Sequence, residues 1–179
     1  MRITGGFLKG RTFYPPAGKW PTRPTTDIAR EGLFNILTNM LDFEAIAMLD
    51  LFGGTGAHGY EMISRGCQNV VYVDKFMPCL NFVKKTAIEF DILEFISLKN
   101  ADYEVFINTN IIKFNYIFAG PPYPLPNLDQ IPDKILAANM IQENGLLVLE
   151  HNPQYRFEKH PFYWKSRNYG ETFFSFFRP

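Results

Sequence analysis

The chain has 179 residues, the size of one domain, and its 46% hydrophobic and 20% charged content excludes a disordered or fibrous protein. Eighteen basic side chains balance eighteen acidic ones, so a bulk attraction to nucleic acid is absent and only a local patch could supply it. Cys67, Cys79 and three scattered histidines lack metal-ligand spacing, which argues against a structural zinc or a disulfide framework.

Residues 1–14 read as a short hairpin, with Arg2–Thr4, a Gly5-Gly6 break, then Phe7–Lys9 and Arg11–Tyr14 around Gly10. The connector from Pro15 to Pro24 follows. Residues 1–30 hold Arg2, Lys9, Arg11, Lys19, Arg23 and Arg30 against the single acid Asp27, leaving 12 basic and 17 acidic groups in the rest. That asymmetry makes residues 1–24 a basic arm suited to phosphate contact, ahead of a main domain spanning 25–179.

Thr25, Thr26 or Asp27 can cap a helix reaching about Leu41. From residue 46, short apolar runs alternate with helical stretches. Ile46–Phe52, Asn69–Asp74, Glu94–Leu98, Tyr116–Ala119 and Gly145–Glu150 read as strands. Gly59–Arg65, Pro78–Phe90, Asp102–Ile107 and Leu128–Gln142 read as the helices between them. The alternation predicts an α/β fold, a doubly wound and mostly parallel sheet. Phe162–Arg167 and Thr172–Phe177 around a turn at Asn168–Glu171 add an antiparallel hairpin, making seven strands. No window approaches the ~18 apolar residues of a membrane span and the start has no signal-peptide pattern, so a cytoplasmic protein is expected.

Asp50-Leu51-Phe52-Gly53-Gly54-Thr55-Gly56-Ala57-His58-Gly59 ends the first strand and opens a helix. Gly54-x-Gly56-x-x-Gly59, with Asp74 at the end of the next strand, is the pattern of a nucleoside-cofactor site. A nicotinamide dinucleotide would rest its pyrophosphate on the helix start, whereas Asp50 favours a cationic ligand such as S-adenosylmethionine. Asp102 either receives an adenine amine or caps the following helix. His58 is read as making a helix-start hydrogen bond rather than as a catalytic base.

Gly120-Pro121-Pro122-Tyr123 follows the fourth strand. Two prolines stiffen the loop and remove two backbone donors, so its carbonyls face outward as acceptors. Tyr123 offers a flat face on which a flipped-out base can stack. Such a loop presents an exocyclic amine to a methyl donor, and Gly120 stands where a carboxylate, amide or hydroxyl is expected.

The chain resembles the bacterial RsmD family. The resemblance rests on Met1-Arg2-Ile3-x-Gly5-Gly6, Gly10-Arg11, Thr22-Arg23-Pro24-Thr25-Thr26-Asp27, Arg30-Glu31-x-Leu33-Phe34-Asn35, the Leu49–Gly59 turn, Ser64-Arg65-Gly66 and Arg167-x-Tyr169-Gly170. It implies a class I, Rossmann-like methyltransferase that moves a methyl group from S-adenosylmethionine to the N2 amine of a guanine in small-subunit (16S) ribosomal RNA. Asp50, Phe52, Gly54, Thr55, Gly56, Asp74, Lys75 and Asp102 would hold the cofactor. Arg2, Lys9, Arg11, Arg23, Thr25 and Arg30 would face RNA, and Gly120, Pro121, Pro122 and Tyr123 would hold the guanine. The partner implied is ribosomal RNA within the small subunit, with the protein a monomer and no metal involved. Gly120 and His58 depart from the family pattern. The competing readings are a catalytically impaired RNA-binding or assembly factor, a DNA adenine-N6 methyltransferase and an NAD-dependent oxidoreductase.

Overall fold

The structure is a computed structural model that describes residues 1–16, 18, 20 and 24–179. Five parallel strands, β1 (Ala47–Leu51), β2 (Asn69–Asp74), β3 (Ile96–Asn100), β4 (Phe114–Ala119) and β5 (Ile141–His151), are joined by helical crossovers. The hairpin β6 (Tyr163–Tyr169) and β7 (Thr172–Phe177) completes a seven-stranded sheet in the order β3-β2-β1-β4-β5-β7-β6. β7 runs antiparallel to β5 and β6 antiparallel to β7. The order in which successive strands are laid down reverses between β1 and β4, and the crevice at their carboxyl ends is where such a sheet collects ligands.

Side-chain alternation sends successive residues of the central strands to two different cores. Met48, Tyr116 and Phe118 join the layer containing α1 (Asp27–Leu37), α2 (Ala57–Ser64) and α3 (Met77–Glu89). Leu49, Leu51, Ile117 and Ala119 join the layer of α4 (Tyr103–Thr109) and α5 (Ile131–Ala137). A sheet covered on both faces explains why these strands read as near-continuous apolar runs.

Several boundaries differ from the sequence reading. Thr26 caps α1 by accepting the Ala29 N–H at 3.2 Å, but the helix stops at Leu37. Thr38 Oγ1 and Asn39 Nδ2 bond back to the carbonyls of Phe34 and Asn35, offering local alternatives to another helical turn. The helix expected over 128–142 divides into a 3-10 turn, Leu128–Gln130, and α5, after which Asn139 turns at φ 54° and β5 begins at Ile141. Phe7–Lys9 is not a strand. Among the described residues, 1–14 form a single bridge, Arg2–Thr12, and Phe7 N and Leu8 N donate instead to the backbone and side-chain oxygens of Ser64 at 2.8 and 2.9 Å. Ile3, Leu8 and Phe13 enter the core beside α2 and α3, so this segment packs into the main body.

Candidate functional site

The backbone after β1 turns through Phe52 at φ 66°, a conformation uncommon for a side-chain-bearing residue, and Gly54 at φ 51°. Each step of the turn is tied down. Gly53 N bonds Val73 O at 3.0 Å, Gly120 N bonds Leu51 O at 3.1 Å, and Tyr72 OH donates to Gly54 O at 2.7 Å. A Cβ at Gly53 would lie 2.2 Å from the Tyr72 ring, so only glycine permits that approach. Gly56 is the N-cap of α2 at φ 77°, packed behind the turn against Tyr60 and Val83.

Asp74 closes the turn from β2. Its Oδ2 accepts the Gly54 N–H at 2.9 Å and its Oδ1 the Phe76 N–H at 2.8 Å. Asp50 is 1% exposed and accepts the Gly59 N–H at 3.2 Å, fastening α2 to β1. Burial strips the Asp50 carboxyl of hydration and pushes its pKa up to about 7; the Gly59 N–H opposes the shift and the Asp74 charge adds to it.

The crevice has two lobes. The larger, about 400 Å³, is mostly apolar and lies between Phe52, Asp74, Lys75, Asp102, Tyr103 and the Pro122–Pro126 segment. Phe52 and Tyr103 pack ring against ring at 4.7 Å, and Lys75 Nζ stands 3.7 Å from Asp102 Oδ2. Asp102 takes the capping role on α4, through the Glu104 N–H at 2.9 Å, and also borders the larger lobe. The smaller lobe, about 70 Å³, is bounded by Thr25, Asp50, Gly54, Thr55, His58, Phe118, the Gly120–Tyr123 loop and Glu150. Phe52, Gly120 and Pro122 line both lobes, so the loop after β4 forms the partition.

His58 does not make the expected helix-start bond. Its ring stacks on Phe118 at 3.8 Å and 6°, and Nε2 meets Tyr116 OH at 3.0 Å. Burial, assisted by the Arg30 charge, holds its pKa well below the ordinary histidine value, so the ring is neutral. The rings of Phe34, Tyr116 and Phe118 around it favour stacking over capping.

Among the described residues, the cations expected at an RNA face are not gathered at the crevice. Arg2, Lys9 and Arg11 are exposed on the N-terminal segment, and Arg11 Nη2 donates to Glu89 O at 3.0 Å. Arg30, expected at an RNA face, is instead 2% exposed. Its guanidinium reaches Arg2 O at 2.5 Å, Asp27 at 2.8 Å and buried Glu61 at 3.4 Å, which locks α1 to α2 and the N-terminal segment. The Arg23 assignment lies outside the described residues. Thr25 does reach the site, donating to Glu150 Oε2 at 2.5 Å.

Glu150, Phe118 and Tyr103 are site residues that the sequence reading missed. Glu150 is 5% exposed at the end of β5, with Tyr123 OH donating to Oε1 at 3.3 Å. Its signal was present: like Asp50 and Asp74, it is an acid terminating an apolar strand. Among the described residues no group of His, Cys, Asp or Glu could hold a metal ion, and no helix is long and apolar enough to cross a membrane.

A parallel-sheet switch point with a glycine turn, acids ending β1 and β2, and a Pro-Pro-Tyr loop ending β4 defines a class I methyltransferase-type domain. The Thermus thermophilus 16S rRNA N2 G1207 methyltransferase (RsmC), solved with AdoMet and guanosine, shares this fold at a TM-score of 0.67 and 22% identity, covering 90% of this chain and 44% of that one. The chain belongs to the RsmD family: the family model described as conserved hypothetical protein 95 matches residues 1–178. YlbH of Bacillus subtilis (strain 168) is 32% identical over 155 residues, 85% of this chain and 83% of YlbH. Ribosomal RNA small subunit methyltransferase D of Escherichia coli (strain K12) is 28% identical over 159 residues, 84% of this chain and 71% of that protein.

Proposed function

We propose that the protein transfers a methyl group from S-adenosylmethionine to the N2 amine of a guanine in small-subunit ribosomal RNA, acting as a cytoplasmic monomer on the small subunit. The observation that carries this reading is the partition. One loop, Gly120–Tyr123, borders an apolar lobe fit for a nucleoside and a smaller lobe of mixed polarity where an amine can meet a methyl group.

The donor set fits S-adenosylmethionine. The larger lobe offers the Phe52 and Tyr103 rings with Asp74 and Asp102 carboxylates, suited to an adenine and its ribose hydroxyls. The smaller lobe is bordered by the buried carboxyl of Asp50 beside the glycine turn. That supports a cationic ligand and disfavours the pyrophosphate an NAD-dependent oxidoreductase would require. When bound, S-adenosylmethionine supplies an electrophilic methyl carbon on a cationic sulfur.

The protein's part is then alignment. The proline pair stiffens the wall between donor and acceptor, and Tyr123 holds the base by stacking. The relatives named as ribosomal RNA methyltransferases support this choice of substrate. Incubation with labelled S-adenosylmethionine and under-methylated small subunits should place label on one guanine, recovered as N2-methylguanosine after digestion. Label on adenine, or on no nucleoside, rejects the reading. The impaired-factor alternative draws on Gly120, and the same assay separates it by showing cofactor binding without transfer.

A further inference from the structure

Among the described residues, the N-terminal cations do not line the crevice. A different set of cations does gather, on β6 and just past β7 at the open edge of the sheet. The register of β6 against β7 shifts between Tyr163 and Lys165, which makes Trp164 an extra residue in a bulge, an irregularity that re-aims a side chain. Its indole is 40% exposed and carries two cations, with Arg178 Cζ 3.5 Å and Lys165 Nζ 3.9 Å from the ring centre. Exposed Phe162 is tied to the same spot, its carbonyl accepting the Arg178 N–H at 2.9 Å. Arg167, further along β6, is exposed as well.

Among the described residues, Lys165, Arg167 and Arg178 form no ion pair with a carboxylate. Burial lowers the Lys165 pKa, and the charges of Arg167 and Arg178 lower it further. Three mutually repelling cations are thus held together, and an anion among them would relieve that repulsion. Cations on an edge strand also discourage pairing with another sheet. That purpose needs no exposed tryptophan, whereas cations interleaved with an aromatic face suit a phosphate backbone and an unstacked base.

The position of the cluster suits the substrate. β6 and β5 both run antiparallel to β7, so they point the same way and β6 ends on the crevice side of the sheet. Arg167 and Glu150 both stand opposite Phe174, in one lateral row across β6, β7 and β5. Two strand spacings, about 10 Å, separate them along that row. Glu150 borders the smaller lobe, so RNA entering that lobe has the edge cluster within reach.

We propose that Trp164, Lys165, Arg167 and Arg178 form a contact surface for the substrate RNA, gripping phosphates and one unstacked base beside the segment that carries the target guanine. This inference rests on the reading of RNA as substrate above.

Binding of fluorescently labelled protein to under-methylated small ribosomal subunits is followed by anisotropy between about 50 and 200 mM salt. Wild type is compared with Arg167→Gln, Arg167→Lys, Arg178→Gln, the double glutamine variant, Trp164→Leu and Lys99→Gln. Lys99 is exposed on β3, the opposite edge strand, and controls for net charge. Methyl-transfer kinetics, S-adenosylhomocysteine calorimetry and thermal midpoints accompany each variant. Each Arg→Gln change should lower the slope of log affinity against log salt by about 0.7–0.9, and the double variant by about twice that. Arg167→Lys should keep the wild-type slope. Trp164→Leu should weaken binding by about 5–100-fold while most of the slope remains. KM should rise with kcat and cofactor-analogue affinity unchanged, since these contacts hold substrate and transition state alike.

An unchanged slope in the double glutamine variant overturns the inference, as does an equal loss in Lys99→Gln. Self-association of the glutamine variants in sedimentation velocity, with subunit binding intact, would make the cluster a guard against edge pairing and reject it. Cosedimentation of wild type with phosphatidylglycerol vesicles, lost in Trp164→Leu while subunit binding persists, would make it a lipid surface and reject it too. Methylation intact beside unchanged slopes rejects this surface and leaves the function standing. Binding is read without catalysis, so the expected slope changes in a protein that methylates nothing would support the surface and reject only the enzymatic reading.

Discussion

Asp74 Oδ2 accepts the backbone N–H of Gly54 at 2.9 Å, joining the end of β2 to the glycine turn 20 residues earlier. The acid that the sequence pattern assigns to a cofactor ribose is therefore also part of the turn's own scaffold. Its other oxygen accepts the Phe76 N–H, which fixes the entry to α3.

This double duty sets the outcome of substitution. Asp74→Ala should weaken S-adenosylhomocysteine binding by about 1–3 kcal/mol and lower the thermal midpoint as well, because two backbone donors lose their acceptor. Asp74→Asn keeps one carbonyl oxygen and should lose less stability. Calorimetry and thermal melts on both variants check the split. Full affinity in Asp74→Ala would remove the carboxylate from the ligand site.

Asp50 gives the site a pH dependence. Its pKa is pushed up from 3.8 to about 7 in the folded chain, so the native state binds a proton that the unfolded state releases between these values. Stability from this group is therefore greatest below pH 4, declines as pH rises to 7 and is flat above it. The full shift corresponds to about 4 kcal/mol as an order of magnitude. Asp50→Asn retains an oxygen for the Gly59 N–H and should flatten the urea-midpoint profile between pH 5 and 8.

The same carboxyl couples to ligand charge. A cationic ligand favours the ionised form, so binding of S-adenosylmethionine at pH 6 should release close to one proton, and affinity should rise with pH until about 7. Calorimetry in two buffers of different ionisation enthalpy reads the proton directly. Asp50→Asn should abolish the release.

The strand-and-helix alternation made the parallel core legible because buried strands are continuous apolar runs, and β2 was read to the residue. The glycine turn and the Pro-Pro-Tyr loop were legible because backbone geometry at each demands particular residues. Partnership was less visible. The Arg30 side chain looks like any surface cation in a helix, and only the packing of Glu61 and the N-terminal segment around it makes it interior. Glu150 was passed over since its place beside the Gly120–Tyr123 loop comes from lateral register with β4, which no local pattern encodes.

Tyr169 of the Arg-x-Tyr-Gly segment has a packing role that the sequence left unassigned. A Cβ at Gly32 on α1 would lie 2.1 Å from the Tyr169 ring, so the helix crosses β6 with no room for a methyl group. Gly32→Ala should therefore destabilise the fold by about 1–3 kcal/mol despite its better helix propensity. A urea titration measures the change, and the smaller side chain of Tyr169→Leu should relieve part of it in the double variant. A stabilised Gly32→Ala protein would show that α1 stands further from the hairpin.

The N-terminal cations divide into two kinds with opposite readouts. Lys9 is exposed, whereas Arg30 is buried against Glu61. If Lys9 contacts a phosphate, Lys9→Ala should lower RNA affinity across sequences and reduce the slope of log affinity against log salt by about one, leaving the melting midpoint in place. Arg30→Ala should instead leave buried Glu61 with Arg65 and the Thr4 N–H as partners, and cost about 1–3 kcal/mol of stability. Its RNA binding, measured at a temperature where the variant stays folded, should keep the wild-type salt slope, since a guanidinium enclosed by protein releases no counterion from a nucleic acid. A shallower slope in Arg30→Ala would mean that this arginine leaves its buried partners to reach RNA, and would make the junction of α1 and the N-terminal segment part of the binding surface.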